Sequence, residues 1–298
     1  MGIALLSAII YVSISNKPQG TSNSVQYVPR ELLKLYVLSS LYLDRASSSL
    51  YHTIYDLPLS TNITMDNIDQ LLSRYKQDEK YLPLVPVTGI DRYLVGTYET
   101  YREIAFIARD IITINNSVSE IMPKMKKTLR SLVNCNYTEA MRIYQGIRDK
   151  VVRLDENISN TLLNLTSINT SYILSPKHVQ VINRTIALLR HLDEILNKYI
   201  TIMDEIQKNP IILQKACMIT SGKHPGIDKQ LIEQAQELVN QMSNSQLGGL
   251  DPEKDALVAL ISNILSQNSN GGQGQSSGNA SGNGEGGGAG SYNYTETD

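Results

Sequence analysis

Ile104, Ile107, Ile111, Ile114, Val118, Ile121 and Met125 follow one another at alternating spacings of three and four residues. A strand would scatter those seven side chains over both of its faces, whereas a helix with 3.6 residues per turn aligns them in one apolar seam. The seam lies in a segment that reads as helix from Asp91 to Val133, with a kink expected at Pro123, where a backbone donor is missing. So long an amphipathic helix needs other helices to cover it.

Three further segments carry matching seams. The first runs from Pro29 to Tyr55, with Leu32, Leu35, Tyr36, Leu43 and Leu50 at helical spacing and Pro29 suited to the first turn. Another runs from Thr138 to Ile168 through Tyr144, Ile147, Val151, Leu154, Ile158 and Leu165. The last starts at Ser175-Pro176, a cap residue followed by proline at the first helical position, and ends near Lys208. Its seam of Ile182, Leu189, Leu192, Leu196, Tyr199, Met203 and Ile206 is flanked by Val181, Leu188, Ile195 and Ile202. A face that wide belongs to a multi-helix bundle and not to a two-stranded coiled coil. Thirty residues of helix are about 45 Å long. The expected fold is therefore all-α, an elongated antiparallel bundle of about four long helices. Shorter helices are expected near Met65 to Tyr81, over Lys229 to Ser243 and over Pro252 to Gln267, the last after Gly248-Gly249 and a cap at Asp251.

The ends of the chain differ from its middle. Residues 1–16, MGIALLSAIIYVSISN, hold no charged side chain, and the apolar run from Ile3 to Ile14 has the length of a signal-peptide core. It is short of the ~20 apolar residues a spanning helix needs, and no Lys or Arg precedes it. We read residues 1–16 as a signal peptide or short membrane anchor; a buried first helix is the plain alternative. From Asn268 onward Gly, Ser, Asn and Gln predominate, too polar to offset the entropy of ordering, so a disordered low-complexity tail is expected over 268–298. The helical bundle is assigned to 17–267.

Charge excludes one class of partner. The chain has 27 basic and 29 acidic residues, and without Glu285, Glu296 and Asp298 of the tail the balance is 27 against 26. A nucleic-acid surface needs clustered excess Lys and Arg, so none is expected. Only two cysteines occur, Cys135 and Cys217. In an oxidising compartment they could bridge; in a reducing one they would be small buried hydrophobes.

Nine Asn-x-Ser/Thr triplets occur, at Asn62, Asn115, Asn136, Asn157, Asn164, Asn169, Asn183, Asn279 and Asn293. With Ser and Thr at roughly one residue in six, about four would arise by chance. Asn157 and Asn164 flank the apolar seam of their helix at mid-length, where a crowded bundle would partly cover them. Asn169 and Asn183 border the next connection and are the better acceptors. Polar filler on cytoplasmic helices is usually Glu, Lys, Arg and Gln, yet only 19% of this chain is charged. An extracytoplasmic, secreted or membrane-anchored glycoprotein is the expectation.

No catalytic motif stands out. His178 and His191 are thirteen residues apart and His52 and His224 are isolated, so no zinc spacing appears. None of the four has Glu three positions before it, the pairing that holds a metal in helical bundles. Gly222-Lys223 resembles a phosphate loop in those two residues alone, since Cys217 and His224 stand where glycine and a hydroxyl residue are needed. We expect no enzyme activity and no cofactor. The expected role is a non-catalytic surface protein that contacts other surface proteins or itself, with membrane attachment through the N-terminus. A sensory or solute-binding bundle with a tyrosine-lined pocket is the first alternative, and a cytoplasmic scaffold the second.

Overall fold

The computed structural model describes residues 29–58 and 63–270. The N-terminal apolar run, Asn62 and nearly all of the Gly-rich tail, with Asn279 and Asn293, lie outside them. Within them the chain is all-α, with no strand. Eight α-helices follow one another: α1 Arg30–Ile54, α2 Met65–Asp78, α3 Gly89–Val133, α4 Tyr137–Ser167, α5 Pro176–Lys208, α6 Pro210–Thr220, α7 Lys229–Ser243 and α8 Asp251–Asn270.

The helix starts follow from local chemistry. Thr88 caps α3 through a reciprocal box: its hydroxyl accepts from the Asp91 amide at 3.2 Å, and its own amide donates to Asp91 Oδ2 at 3.1 Å. Asn136 caps α4, Ser175 caps α5 with Pro176 behind it, and Asp228 caps α7. α3 continues unbroken across Pro123, which lies on the solvent side, where the carbonyl it leaves unpaired meets water and not the core.

Side-chain pairs give the directions. Tyr36 stacks on Tyr101, Asn115 reaches Ser49 and Lys126 reaches Asp56, so α1 and α3 run parallel. The short α2 makes the return stroke between them, with Tyr75 beside Ser39 and Tyr98, and Asp69 beside Arg109. α4 is antiparallel to α3 through Glu120–Lys150 and Lys127–Glu139, and to α5 through Asp155–Asn197. α5 closes the ring by lying parallel to α1, where Ser47 meets Thr185 at 2.8 Å and Tyr55 meets His191 at 2.8 Å. The chain thus alternates in direction from α1 to α5, and the four long helices surround one core.

Every seam residue named above is buried. α1 also buries Ser39 and Ser47, each of which satisfies its hydroxyl on the preceding turn and on a neighbouring helix. Small residues there let the helices approach closely.

α1 is shorter than α3, α4 and α5, and beyond Ile54 its place beside α3 is taken by α8. Gly248 and Gly249 make that junction: a Cβ on Gly249 would lie 2.6 Å from the Ile54 carbonyl oxygen, and Gly248 has φ +57°. The pair that reads in sequence as a helix stop is thus also a close-packing point. α6 and α7 pack against α8 to complete a three-helix cap on this end of the bundle. Two expectations need adjustment. α8 runs three residues past Gln267, its final turn held in part by Ser266 Oγ on the Asn263 carbonyl. α6 is a further helix, with no counterpart among those the periodicity predicts.

Candidate functional site

The cap end holds the one covalent cross-link among the described residues. Cys135 and Cys217 form a disulfide with Cα atoms 5.9 Å apart and 82 residues between them in sequence. Cys217 is placed by α6, which starts with Pro210 at its first turn and buries Ile212, Leu213 and Ala216. The signal for this helix is Asn209-Pro210 followed by four apolar positions over two turns, a stretch easily absorbed into the end of α5.

Cys135 is placed by the end of α3. It adopts φ +61°, the left-handed position that usually takes glycine just past a helix. The Asn136 amide donates to the Ser131 carbonyl at 2.8 Å and the Cys135 amide to the Leu132 carbonyl at 3.0 Å, which closes the helix tightly. A non-glycine residue there costs roughly 1–2 kcal/mol. The bridge and the short turn into α4 hold it in place. Beside the bridge lies an open cleft of about 650 Å³, lined chiefly by Leu132, Tyr137, Pro210, Leu213 and Met218. It offers apolar contact and few polar partners.

The acceptor asparagines separate into two kinds. Asn115 is half-buried, with Nδ2 donating to Ser49 Oγ at 3.2 Å across the α1–α3 interface. Asn136, Asn157, Asn164, Asn169 and Asn183 are exposed. Asn157 and Asn164 therefore stand clear of the bundle and are not covered by it. Asn136 uses Oδ1 to cap α4, accepting from the Glu139 amide at 3.2 Å. Asn169 sits in the turn between α4 and α5, where Oδ1 accepts from both the amide and the hydroxyl of Ser171, leaving Nδ2 to face solvent. In the Asn183 triplet the Thr185 hydroxyl is buried against the Val181 carbonyl and Ser47.

Titratable groups are engaged within the fold. Tyr101 Oη lies 2.6 Å from His178 Nδ1 and accepts from the Leu174 amide at 3.0 Å. Burial pushes the Tyr101 hydroxyl up and the His178 imidazole down, so both are neutral at pH 7. Tyr144 donates to Asp204, and burial followed by that carboxylate pushes its hydroxyl up to about 12. Asp155 of α4 is pushed up to about 6, first by burial and then by the Asp193 carboxylate of α5. Glu253 of α8 is buried against Arg130 at 2.8 Å, with Lys126 at 3.8 Å. Among the described residues no group of three or more His, Cys, Asp or Glu side chains could hold a metal ion, and no helix is long and apolar enough to cross a membrane.

Sequence reasoning missed α6, the Asp155–Asp193 pair and the Glu253 pairing. No spacing rule links positions on different helices, so the two pairings had no signal to find, while the short local signal of α6 merges into the end of α5. Compared with protein-family models, curated proteins and solved structures, the chain matches none.

Proposed function

We propose that this is a non-catalytic helical-bundle protein of the extracytoplasmic cell surface, a spacer or contact module for other surface proteins or for its own copies. The observation that carries the reading is the Cys135–Cys217 bridge. Disulfides persist in oxidising compartments and are rare where thiol reductants are maintained. Support also comes from the exposure of Asn157, Asn164 and Asn169 along and just beyond one helix. The lengthwise packing of α3, α4 and α5 gives a rigid rod suited to holding a contact surface away from its attachment.

The solute-binding alternative asks for a cavity lined by tyrosines. Tyr36, Tyr75, Tyr98 and Tyr101 pack on one another as core instead, and that alternative gains nothing from them. A cytoplasmic scaffold would be favoured by two distant thiols, and here the sulfurs are joined.

The test is the mass of the protein isolated from its own host without reductant, before and after deglycosylation. Expected are a linked Cys135–Cys217 peptide and at least one occupied acceptor, most readily Asn169. Free thiols together with bare asparagines would sink the extracytoplasmic reading and favour the scaffold.

A further inference from the structure

Six of the fourteen exposed large hydrophobic side chains among the described residues fall within the thirteen positions from Tyr81 to Tyr93. Of the others, Val37 and Leu41 lie one turn apart on α1 and are only marginally exposed, and the rest are scattered singly. This stretch joins α2 to α3, and its tip carries Leu84 at 103% exposure, Val85 at 69% and Val87 at 85%. From Tyr81 to Ile90 the sequence YLPLVPVTGI contains no charge. A patch of this kind on an otherwise well-packed protein marks a contact. Its shape is a protruding loop and not a groove, so it is built to insert into something.

Its position narrows what that is. Tyr36 lies level with Tyr101, so α1 begins six residues above that level and α3 twelve. The loop therefore projects beyond the start of α1 by about 9 Å or more. The chain enters the bundle at Pro29, at this same end, and the residues before it include the uncharged stretch 1–16. Taken as a short anchor, that apolar run supplies one attachment to a bilayer. A single weak apolar attachment gives only marginal, reversible membrane binding, and stable anchoring takes a second contact.

We propose that the loop between α2 and α3 is that second contact, and that Leu84, Val85 and Val87 seat in the headgroup–acyl boundary of a lipid bilayer. Tyr81 and Tyr93, half-exposed at its base, stand where aromatic side chains favour the interface. Lys80 and Asp91 border the uncharged stretch, with Glu79 and Arg92 behind them, so the base of the loop is charge-balanced and the apolar tip carries the contact. Pro83 and Pro86 remove two amide donors that would otherwise need desolvation, and they stiffen the tip. The bundle then stands with its disulfide-bridged cap pointing away from the membrane. This inference rests on the membrane-anchored form of the function proposed above.

The chain contains no tryptophan, so one introduced indole reports on its own surroundings. Full-length Val85→Trp and Ile211→Trp, the latter at an exposed site on the cap, are mixed with phosphatidylcholine–phosphatidylglycerol vesicles with and without brominated acyl chains. Expected is a blue shift and bromine quenching for Val85→Trp and neither for Ile211→Trp. Replacing Leu84 and Val87 by Ser should weaken vesicle partitioning about tenfold. If the protein floats with the vesicles while Val85→Trp stays in water, the loop proposal falls and anchoring through the N-terminus stands. If the protein stays in the aqueous phase, the anchored reading falls and takes the loop proposal with it. An indole already shielded without lipid would mean that the loop is covered by residues of this chain or a second copy, which also overturns the proposal.

Discussion

Around Ile111 four long helices meet through aliphatic side chains that recur every three or four residues, and nothing covalent holds them. Around Cys217 three short helices are fastened to the ends of the long ones by a disulfide, a pair of glycines pressed on a carbonyl, and a buried carboxylate paired with Arg130. The difference follows from length. A helix of thirty or more residues repeats its seam eight or nine times, so its docking is over-determined and tolerates a weak contact. An eleven-residue helix such as α6 buries only Ile212, Leu213 and Ala216, and isolated helices shorter than ~12–15 residues are marginal in water. The cap needs particular single contacts where the body has repetition.

The comparison breaks most visibly if a charge enters the body. Ile111→Asp places an unpaired carboxylate at a fully buried position on the bundle axis, with an expected loss of about 3–5 kcal/mol in denaturant unfolding. Ser119→Asp, on the exposed side of the same helix, should change stability by less than about 0.5 kcal/mol. Equal effects from the two would show that the seam is not the core.

Removing the bridge is the next largest step. Cys135→Ser with Cys217→Ser frees a closure of 82 residues, and the expected cost is about 2–4 kcal/mol in global stability. Hydrogen exchange should locate the local effect: faster in α6 and at the Cys135 turn, unchanged in the middle of α3. Uniform acceleration along α3 would mean that cap and body open as one unit.

Gly249→Ala tests the junction between the two regions. The added Cβ would meet the Ile54 carbonyl oxygen at 2.6 Å, so backbone must move, at a cost of about 1–3 kcal/mol. The loss should appear as a lower Tm with the disulfide intact. Gly146→Ala, whose Cβ has open space and lies mid-helix, is expected to be neutral or slightly stabilising.

The smallest effect lies in the body and depends on pH. Asp155 faces Asp193 and Asn197 across the α4–α5 interface, with Glu156 beside it, and its folded carboxyl is raised to about 6. A raised carboxyl pKa favours the folded state fully below the unfolded value near 4, and that contribution is lost as pH rises through 6. Asp155→Asn should therefore raise Tm modestly at pH 7 and leave it nearly unchanged at pH 4, by calorimetry at both. A pH-independent difference would assign the effect to packing and not to the carboxylate pair.

Helix type, the seams and most helix starts were legible because each is written within a few neighbouring residues. Thr88 with Asp91, or Ser175 with Pro176, needs no distant partner to begin a helix, and the Ile104–Met125 seam needs only the helical repeat to define its buried face. The sequence by itself therefore determined an all-α bundle and most of its core. Tertiary structure alone decided that α1 lies parallel to α3 and α5, that Asn115 spends its amide on Ser49, and that Gly248-Gly249 packs under Ile54. It also decided that Cys135 meets Cys217. Each of these joins residues on different helices, and no local rule of spacing or capping reaches across the tens of residues between them; only the packing of completed helices brings such pairs within a few ångströms.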